Sequence, residues 1–499
     1  MSSDQTGAGA MGPKGETWLG QPRGLSTLFF TEMWERFSYY GMRGILILFM
    51  TNETINGGMG MSTLTAGAIY GLYTAAVYLV ALPGGWIADR LIGQRNAIFT
   101  GGIIIASGHF TMAIPSTATF YLGLILIVIG TGFLKPNVSA IVGGLYPEGG
   151  AARDRGFSIF YMGINVGALA GPLICGFLGE NINWHYGFGA AGVGMVLGLI
   201  QYKHGYKHLF DVGLPPDDGP EKLAEAKTKL IRAVGILLGI AAVMAIVRLT
   251  GVWAYTLEGF AKALGGFVIL LAVAYFLYVL ALGHLNTEEK KRVIVIFLLF
   301  IGAALFWSGF EQAGSSMNLF AEQLTNRTVF GWEAPASWLQ SVNPLFIIIL
   351  APVFGWLWVT LASRDPSIPV KFGLGLALLG VGFLVMAWGA SYTTSGEGNV
   401  SPMWLVVTYF LHTTGELCLS PVGLSSITKL SPKHLVGQMM GIWFMGAALG
   451  NLFAGLIGGQ FETLPLPKLF MAVALTAAGA GILFLLFSKP IRKLIGAKL

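Results

Sequence analysis

The chain has 499 residues, of which 54% are hydrophobic and only 11% are charged, and its formal net charge is +6. An ordinary soluble domain has about 25% charged residues, so this chain lacks the polar surface that a water-soluble fold requires. The composition therefore excludes a soluble enzyme and indicates a protein that is solvated largely by lipid.

Apolar runs of roughly 20 residues recur along the chain, and an α-helix of that length crosses the hydrocarbon core of a membrane. We predict an all-α membrane protein with 14 spans, at roughly residues 25–51, 62–88, 97–115, 119–143, 155–178, 185–204, 232–252, 261–283, 293–319, 335–362, 370–390, 402–428, 435–459 and 464–488. Residues 1–24 are polar and Gly-rich, and we expect them to form a mobile cytoplasmic tail.

The Lys and Arg residues indicate how the chain is oriented, because they concentrate on the side of a membrane protein that is not translocated. With a cytoplasmic N-terminus, only Arg248, Lys262, Arg327 and Lys468 fall outside. We therefore expect both termini to be cytoplasmic. The excess of basic residues then sets the orientation of the chain and attracts anionic lipid headgroups, and no nucleic acid is implied as a partner.

An internal repeat divides the chain into two halves. Residues 160–169 (FYMGINVGAL) match residues 443–452 (WFMGAALGNL) at Met, Gly, Gly and Leu in one register. If the seventh and eighth spans are an insertion, the two segments become the fifth span of each six-helix half. Such a duplication is the plan of a major facilitator fold. We predict bundles at 25–204 and 293–488, a linker with two inserted helices at 205–292, and a cytoplasmic tail at 489–499.

The segment 85–95 (GWIADRLIGQR) follows the second span. It resembles the cytoplasmic motif of the major facilitator superfamily, whose acidic and basic residues are thought to latch neighbouring helices. An ordinary positive-inside loop is the alternative reading.

Several ionisable residues fall inside the predicted spans, where each costs about 2.5–3.5 kcal/mol to insert. They are Glu32, Glu35, Arg36 and Arg43 in the first span, Lys135 in the fourth, Glu311 in the ninth and Glu416 in the twelfth. Helical spacing places Glu32, Arg36 and Arg43 on one stripe with Tyr39 and Tyr40. One helix thus presents both signs of charge to a common interior.

Static salt bridges between helices would explain one such pair. The charges are nevertheless unequally divided, because Arg43 and Lys135 lie in the first half whereas the second half contributes only Glu311 and Glu416. A cavity with one positive and one negative wall suits a zwitterion. Aromatic side chains could line its middle: Tyr39, Tyr40, Tyr78, Trp307 and Trp443.

Three motifs carry a family resemblance. Residues 32–37 (EMWERF) resemble the Glu-x-x-Glu-Arg-Phe motif of the proton-dependent oligopeptide transporter family, residues 160–167 (FYMGINVG) its fifth-span signature, and residues 310–316 (FEQAGSS) its seventh-helix segment. The resemblance covers the whole chain, including the two extra helices typical of bacterial members. It implies a multi-pass protein of the bacterial inner membrane that imports di- and tripeptides with protons by alternating access.

The same resemblance assigns roles position by position. Arg43 and Lys135 would bind the peptide carboxylate, and Glu416 its amino terminus. Asn165 and Asn343 would contact the peptide backbone, while the five aromatic residues named above would shape the side-chain pockets. A gating and proton-linked network would comprise Glu32, Glu35, Arg36, Lys135 and Glu311, with Glu311 carrying the proton opposite Arg43.

Other functions remain as alternatives. Related plant transporters carry nitrate or glucosides, although an anion would need only a cationic site. A membrane-embedded enzyme should show a nucleophile or metal set, and a channel should show an oligomer-forming pore helix; neither pattern occurs. We therefore expect no enzyme activity, no metal and no cofactor, with protons as the coupling ion and a monomeric state.

Overall fold

The computed structural model describes residues 17–217, 219–251, 255–394 and 398–496, and most of these residues are helical. The predicted tails lie partly outside the described residues, at 1–16 and 497–499. The helices are α1 Gly24–Thr51, α2 Thr63–Ile87, α3 Gln94–Met112, α4 Thr117–Gly144, α5 Gly150–Asn181, α6 Trp184–Gly205, α7 Pro220–Leu249, α8 Leu257–Leu282, α9 Thr287–Phe310, α10 Ser316–Leu324, α11 Val342–Leu361, α12 Ile368–Thr394, α13 Met403–Leu430, α14 Val436–Gly458, α15 Leu466–Leu486 and α16 Ser488–Ile495.

The predicted spans correspond to these helices. Each of α1–α8 and α11–α15 matches one span, and α9 and α10 together form the ninth. In the described part of the chain, ten segments are long and apolar enough on their own to cross a membrane. The helix α1 is not among them, because its charged side chains lower its hydropathy.

The ninth span is interrupted, whereas the sequence predicted one continuous helix. A 3-10 turn, Glu311–Gly314, separates α9 from α10, and Ser315 has a non-helical backbone with φ −125° and ψ −101°. Tyr70 Oη donates a hydrogen bond of 3.3 Å to the Glu311 carbonyl, and Gly314 packs directly against the Tyr70 ring. The break thus exposes a backbone carbonyl to a side chain of α2 and fixes where Glu311 lies.

The chain forms two compact units. The first comprises Met1–Met42, Val80–Gly171 and His185–Ala254; the second comprises Arg43–Leu79, Pro172–Trp184 and Tyr255–Leu499. The helices α1, α2 and α5 are therefore each divided between the units. The second unit holds the parts of these helices nearest the α1–α2 connection, together with α8–α16.

The first unit has a continuous apolar core. Buried side chains of α1, α3, α4, α5 and α6 meet there, including Leu25, Ile98, Leu134 and Met195. Because lipid is as apolar as these side chains, their close packing, rather than removal of apolar surface from water, stabilises this core.

The second unit is held partly by close contact between α2 and α14. A Cβ atom added at Gly67 would lie 2.5 Å from the Gly455 carbonyl oxygen and 2.6 Å from Gly459 Cα. Such backbone contact between helices requires small residues. The inserted helix α8 packs beside this contact, where Ala261 joins Ala68 and Leu452 in a small core.

Two short hairpins and one short helix were not predicted. The strands β1 Thr17–Trp18 and β2 Gln21–Pro22 lie within the predicted mobile tail, and Gln21 Oε1 accepts a hydrogen bond of 2.9 Å from Tyr146 Oη. The strands β3 Thr328–Val329 and β4 Trp332–Glu333 join α10 to α11. In the predicted C-terminal tail, α16 buries Ile491 and Ile495.

Candidate functional site

A compact ionic group lies on α1 in the first unit. Arg36 Nε is 3.1 Å from Glu32 Oε1 and also pairs with the Glu35 carboxylate, and all three side chains are at most 5% exposed. The Arg36 guanidinium also lies over the Tyr39 ring, 5.1 Å from its centre. Buried charges are stable only when they are paired. Arg36 alone carries one positive charge and does not fully compensate the two negative charges of Glu32 and Glu35.

Lys135 supplies the second positive charge of this group. It lies on α4 immediately before Pro136, which removes one hydrogen bond from the helix interior. Lys135 is close enough to Glu32 for favourable electrostatic interaction. The predicted gating residues of the first unit therefore form one network with balanced charge.

Asn165 on α5 is bonded to its own helix. Its Nδ2 donates a hydrogen bond of 2.9 Å to the Tyr161 carbonyl, and the residue is 4% exposed. Its predicted contact with a peptide backbone would replace or supplement that bond.

The second unit contains an ion pair between α1 and the 3-10 turn after α9. Arg43 Nη1 lies 2.5 Å from Glu311 Oε2, and both side chains are 7% exposed. Tyr409 on α13 also interacts electrostatically with Arg43. The two charged residues are separated by 268 positions in the sequence.

Two amide side chains hold the backbone next to Arg43. The Gly44 carbonyl accepts hydrogen bonds from Asn318 Nδ2 at 2.8 Å and from Gln340 Nε2 at 3.2 Å. Sequence reasoning missed Asn318, Gln340, Tyr70 and Tyr409. For the two amides, the available signal was a polar side chain within an otherwise apolar segment, since such groups need hydrogen-bond partners once buried.

Glu416 on α13 lies in a different electrostatic environment. Asn343 Nδ2 on α11 donates a hydrogen bond of 2.8 Å to Thr413 Oγ1 and makes a longer contact of 3.5 Å with Glu416 Oε2. Glu416 is 7% exposed and close enough to Glu311 for the carboxylates to repel each other. Within the described residues, no Lys or Arg forms an ion pair with Glu416.

The predicted aromatic residues are packed against neighbouring side chains. The Tyr39 and Tyr40 rings are 5.1 Å apart, and Trp307 lies between Phe306 and Phe310 at 5.5 and 5.4 Å. Tyr78 packs against the small core of α2, α8 and α14. Trp443 is 8% exposed, 6.4 Å from Phe372 and in contact with Gly423.

The motif after the second span makes local contacts in the first unit. Gln94 Nε2 donates a hydrogen bond of 3.1 Å to Asp89 Oδ1. Arg95 Nε donates a hydrogen bond of 2.6 Å to the Val212 carbonyl, and the same guanidinium contacts the Phe210 carbonyl. Arg95 therefore ties the start of α3 to the segment that follows α6.

Comparison with known proteins identifies the family. Residues 95–472 match the family model described as the POT family. The chain belongs to the POT family. Its predicted major facilitator fold with two six-helix bundles and two inserted helices is confirmed, and the chain is a transporter rather than an enzyme.

Individual relatives match over nearly the whole chain. The peptide transporter YePEPT of Yersinia enterocolitica subsp. palearctica serotype O:3 is 41% identical, and the match covers 97% of each chain. A di-/tripeptide transporter of Lactococcus lactis subsp. cremoris is 39% identical over 96% of this chain and 98% of its own. A solved structure of a peptide transporter POT with bound sulfate is 42% identical, with a TM-score of 0.90 over 97% of each chain.

Proposed function

We propose that the chain imports di- and tripeptides together with protons by alternating access. Membership of the POT family supports peptide transport, as do relatives named as peptide and di-/tripeptide transporters. Proton coupling and the orientation of the peptide rest on the buried charges.

Glu416 carries this proposal, because it is a buried carboxylate that forms no ion pair with a Lys or Arg among the described residues. An uncompensated charge at this depth is costly unless a proton or a cationic ligand neutralises it. The ammonium group of a peptide is such a ligand. The amide of Asn343, which already points at Thr413 and Glu416, would bind the adjacent peptide backbone.

The carboxylate end of the peptide is assigned to Arg43, with Lys135 as the second base and Asn165 as a further backbone contact. Arg43 is occupied by Glu311 in this structure, so a peptide carboxylate must compete with Glu311 for the same guanidinium. Both anions gain the same charge-assisted hydrogen bonds, and only one of them can take the full set.

This competition supplies the coupling. A proton on Glu311 removes its charge and weakens its hold on Arg43, which favours binding of the peptide carboxylate. Release of the peptide then lets Glu311 lose its proton and return to Arg43. The protons are the coupling ion, and no metal or organic cofactor takes part in this scheme.

The remaining residues have supporting roles. The network of Glu32, Glu35, Arg36 and Lys135 would respond to the charge state of the site and gate the pathway. The aromatic side chains would form the pockets for peptide side chains: Tyr39, Tyr40, Tyr78, Trp307 and Trp443. The protein would act as a monomer in a bacterial inner membrane, with both termini cytoplasmic.

Uptake by purified protein in proteoliposomes tests the function. A labelled dipeptide should accumulate only with an inward proton gradient, and unlabelled di- and tripeptides should compete with it. Nitrate and a glucoside represent the alternative substrates, and as competitors they should leave uptake of the labelled dipeptide unchanged. Gradient-driven nitrate uptake without peptide uptake would overturn the proposal.

A further inference from the structure

We propose that Glu180 and Glu462 are gate residues, each a carboxylate at the end of the fifth helix of one half that binds the start of the second helix of the other half. Together they hold closed the side of the membrane at which α1 ends and α2 begins. This inference rests on the proposed alternating access, but its test does not require knowledge of the cargo. All the residues involved lie in the second unit.

Glu180 makes the stronger contact. Its Oε2 accepts a hydrogen bond of 2.6 Å from the Ala336 amide, and its Oε1 accepts bonds of 3.0 and 2.5 Å from the amide and hydroxyl of Ser337. Ala336 and Ser337 begin the 3-10 turn that leads directly into α11. The first N–H groups of a helix lack partners within it and favour negative charge, so Glu180 satisfies both needs.

One face of α5 is docked on the same segment. Leu173, Gly176 and Glu180 follow helical spacing, and the Leu173 carbonyl accepts a hydrogen bond of 2.9 Å from Trp338 Nε1. A Cβ atom added at Gly176 would overlap Ser337 Oγ. The end of α5 therefore touches the start of the α11 segment over two turns.

Charged neighbours lie around this contact. Arg327 stabilises the Glu180 carboxylate electrostatically, whereas Glu322 is close enough to repel it. Together with Asn52 they line a cavity of about 220 Å³. Arg327 itself pairs with Glu333 at 2.8 Å. Among these charges only Glu180 accepts hydrogen bonds from the α11 segment.

Glu462 makes the corresponding contact on α2. Thr63, the first residue of α2, donates from Oγ1 to the Gly459 carbonyl at 3.1 Å and to Glu462 Oε2 at 3.3 Å. Glu462 ends the 3-10 turn after α14, and it is exposed. Its single long hydrogen bond and its exposure make this the weaker of the two contacts.

The internal repeat relates the two contacts. The register that aligns residues 160–169 with 443–452 also aligns Gly176 with Gly459 and places Glu180 one residue from Glu462. Gly176 packs on Ser337, and Gly459 packs on Thr63. The same type of contact, a packed glycine followed by a carboxylate, therefore occurs twice in the duplicated fold. Its repetition favours a role in the transport cycle over an isolated surface hydrogen bond.

Opening of this side must separate α5 from the α11 segment and α14 from α2. The closed state then loses three hydrogen bonds to a charged acceptor at Glu180 and one at Glu462. A substitution that removes these bonds raises the population of the open state without touching the cargo site.

Spin-label distance measurements on the full chain test the proposal. Ile55 in the α1–α2 connection and Phe330 between β3 and β4 are both highly exposed, and they would carry labels after replacement of the buried Cys175 and Cys418. Glu180→Gln should increase the long-distance population by on the order of tenfold, with a smaller increase for Glu462→Gln. Glu258→Gln is the matched control, because Glu258 pairs within its own helix with Lys262.

Ser337→Ala keeps the inference testable if Glu180→Gln does not fold. It removes one of the three hydrogen bonds and should shift the distances in the same direction by less. Wild-type distances in both Glu180→Gln and Ser337→Ala, with peptide uptake intact, would overturn the gate assignment alone. If the distances shift in these variants but the wild-type protein itself takes up no dipeptide, the result would support the gate and count only against the proposed cargo.

Discussion

Arg43 Nη1 and Glu311 Oε2 are 2.5 Å apart, in a pair whose side chains are only 7% exposed. The contact joins α1 to the turn that interrupts the ninth span. A buried ion pair of this kind is stable only while both partners are charged, and breaking it by removing one partner typically costs about 3–5 kcal/mol. A proton on Glu311 removes the charge that Arg43 needs, and a substrate carboxylate can then take the place of Glu311. The pair is therefore suited to coupling.

Glu311→Gln should abolish gradient-driven dipeptide uptake while leaving some counterflow exchange. The neutral amide imitates protonated Glu311 and leaves Arg43 available to the peptide, but it has no proton to release. Uptake and counterflow measured in the same proteoliposome preparation separate the two steps. Uphill accumulation by this variant at the wild-type rate would remove Glu311 from the proton path.

Asn318→Leu should weaken peptide binding roughly fivefold, the equivalent of about 1 kcal/mol. The Gly44 carbonyl loses its 2.8 Å donor, so the backbone that carries Arg43 is less firmly placed, while the side-chain volume is nearly kept. The measurement is dipeptide affinity by competition. Gln323→Leu, on an exposed position of the same helix, is the control. Equal affinities for the two variants would show that Asn318 does not position Arg43.

Gly67→Ala should destabilise the protein by about 1–3 kcal/mol, because the added methyl group meets the backbone of α14 at 2.5 Å. Thermal unfolding in detergent measures the change. Gly235→Ala on α7 is the matched control, since no atom lies within 4 Å of its added Cβ and alanine favours a helix. The control should be neutral or slightly stabilising. Similar losses in both variants would contradict the proposed α2–α14 contact.

Hydropathy and helical periodicity were enough to predict the spans and the polar stripe of α1. The spacing of Glu32 and Arg36 makes an ion pair within one helix, and the structure has that pair at 3.1 Å. Such contacts depend only on local geometry, so a sequence pattern can predict them.

The interruption of the ninth span had only a weak signal, the Gly314-Ser315 pair at which the helix breaks. Residues 310–316 contain no Pro, and the partner of the carbonyl freed at the break, Tyr70, lies in a distant helix. The bonds from Asn318 and Gln340 to Gly44 likewise join positions far apart in the chain. The docking of Glu180 on Ser337 has the same origin. These features are set by tertiary contact, which overrides local propensity.

The assignment of Glu416 to the peptide amino terminus is the central claim, and competition by free and N-acetylated dipeptide tests it most directly. Acetylation removes the charge of the ligand, so the wild-type protein should bind the capped peptide more weakly by about 2 kcal/mol or more. Glu416→Gln should bind the free dipeptide poorly and distinguish the two forms far less. A C-terminal amide with Arg43→Gln is the mirror control. If Glu416→Gln keeps the wild-type ratio between free and acetylated dipeptide, the amino terminus binds elsewhere.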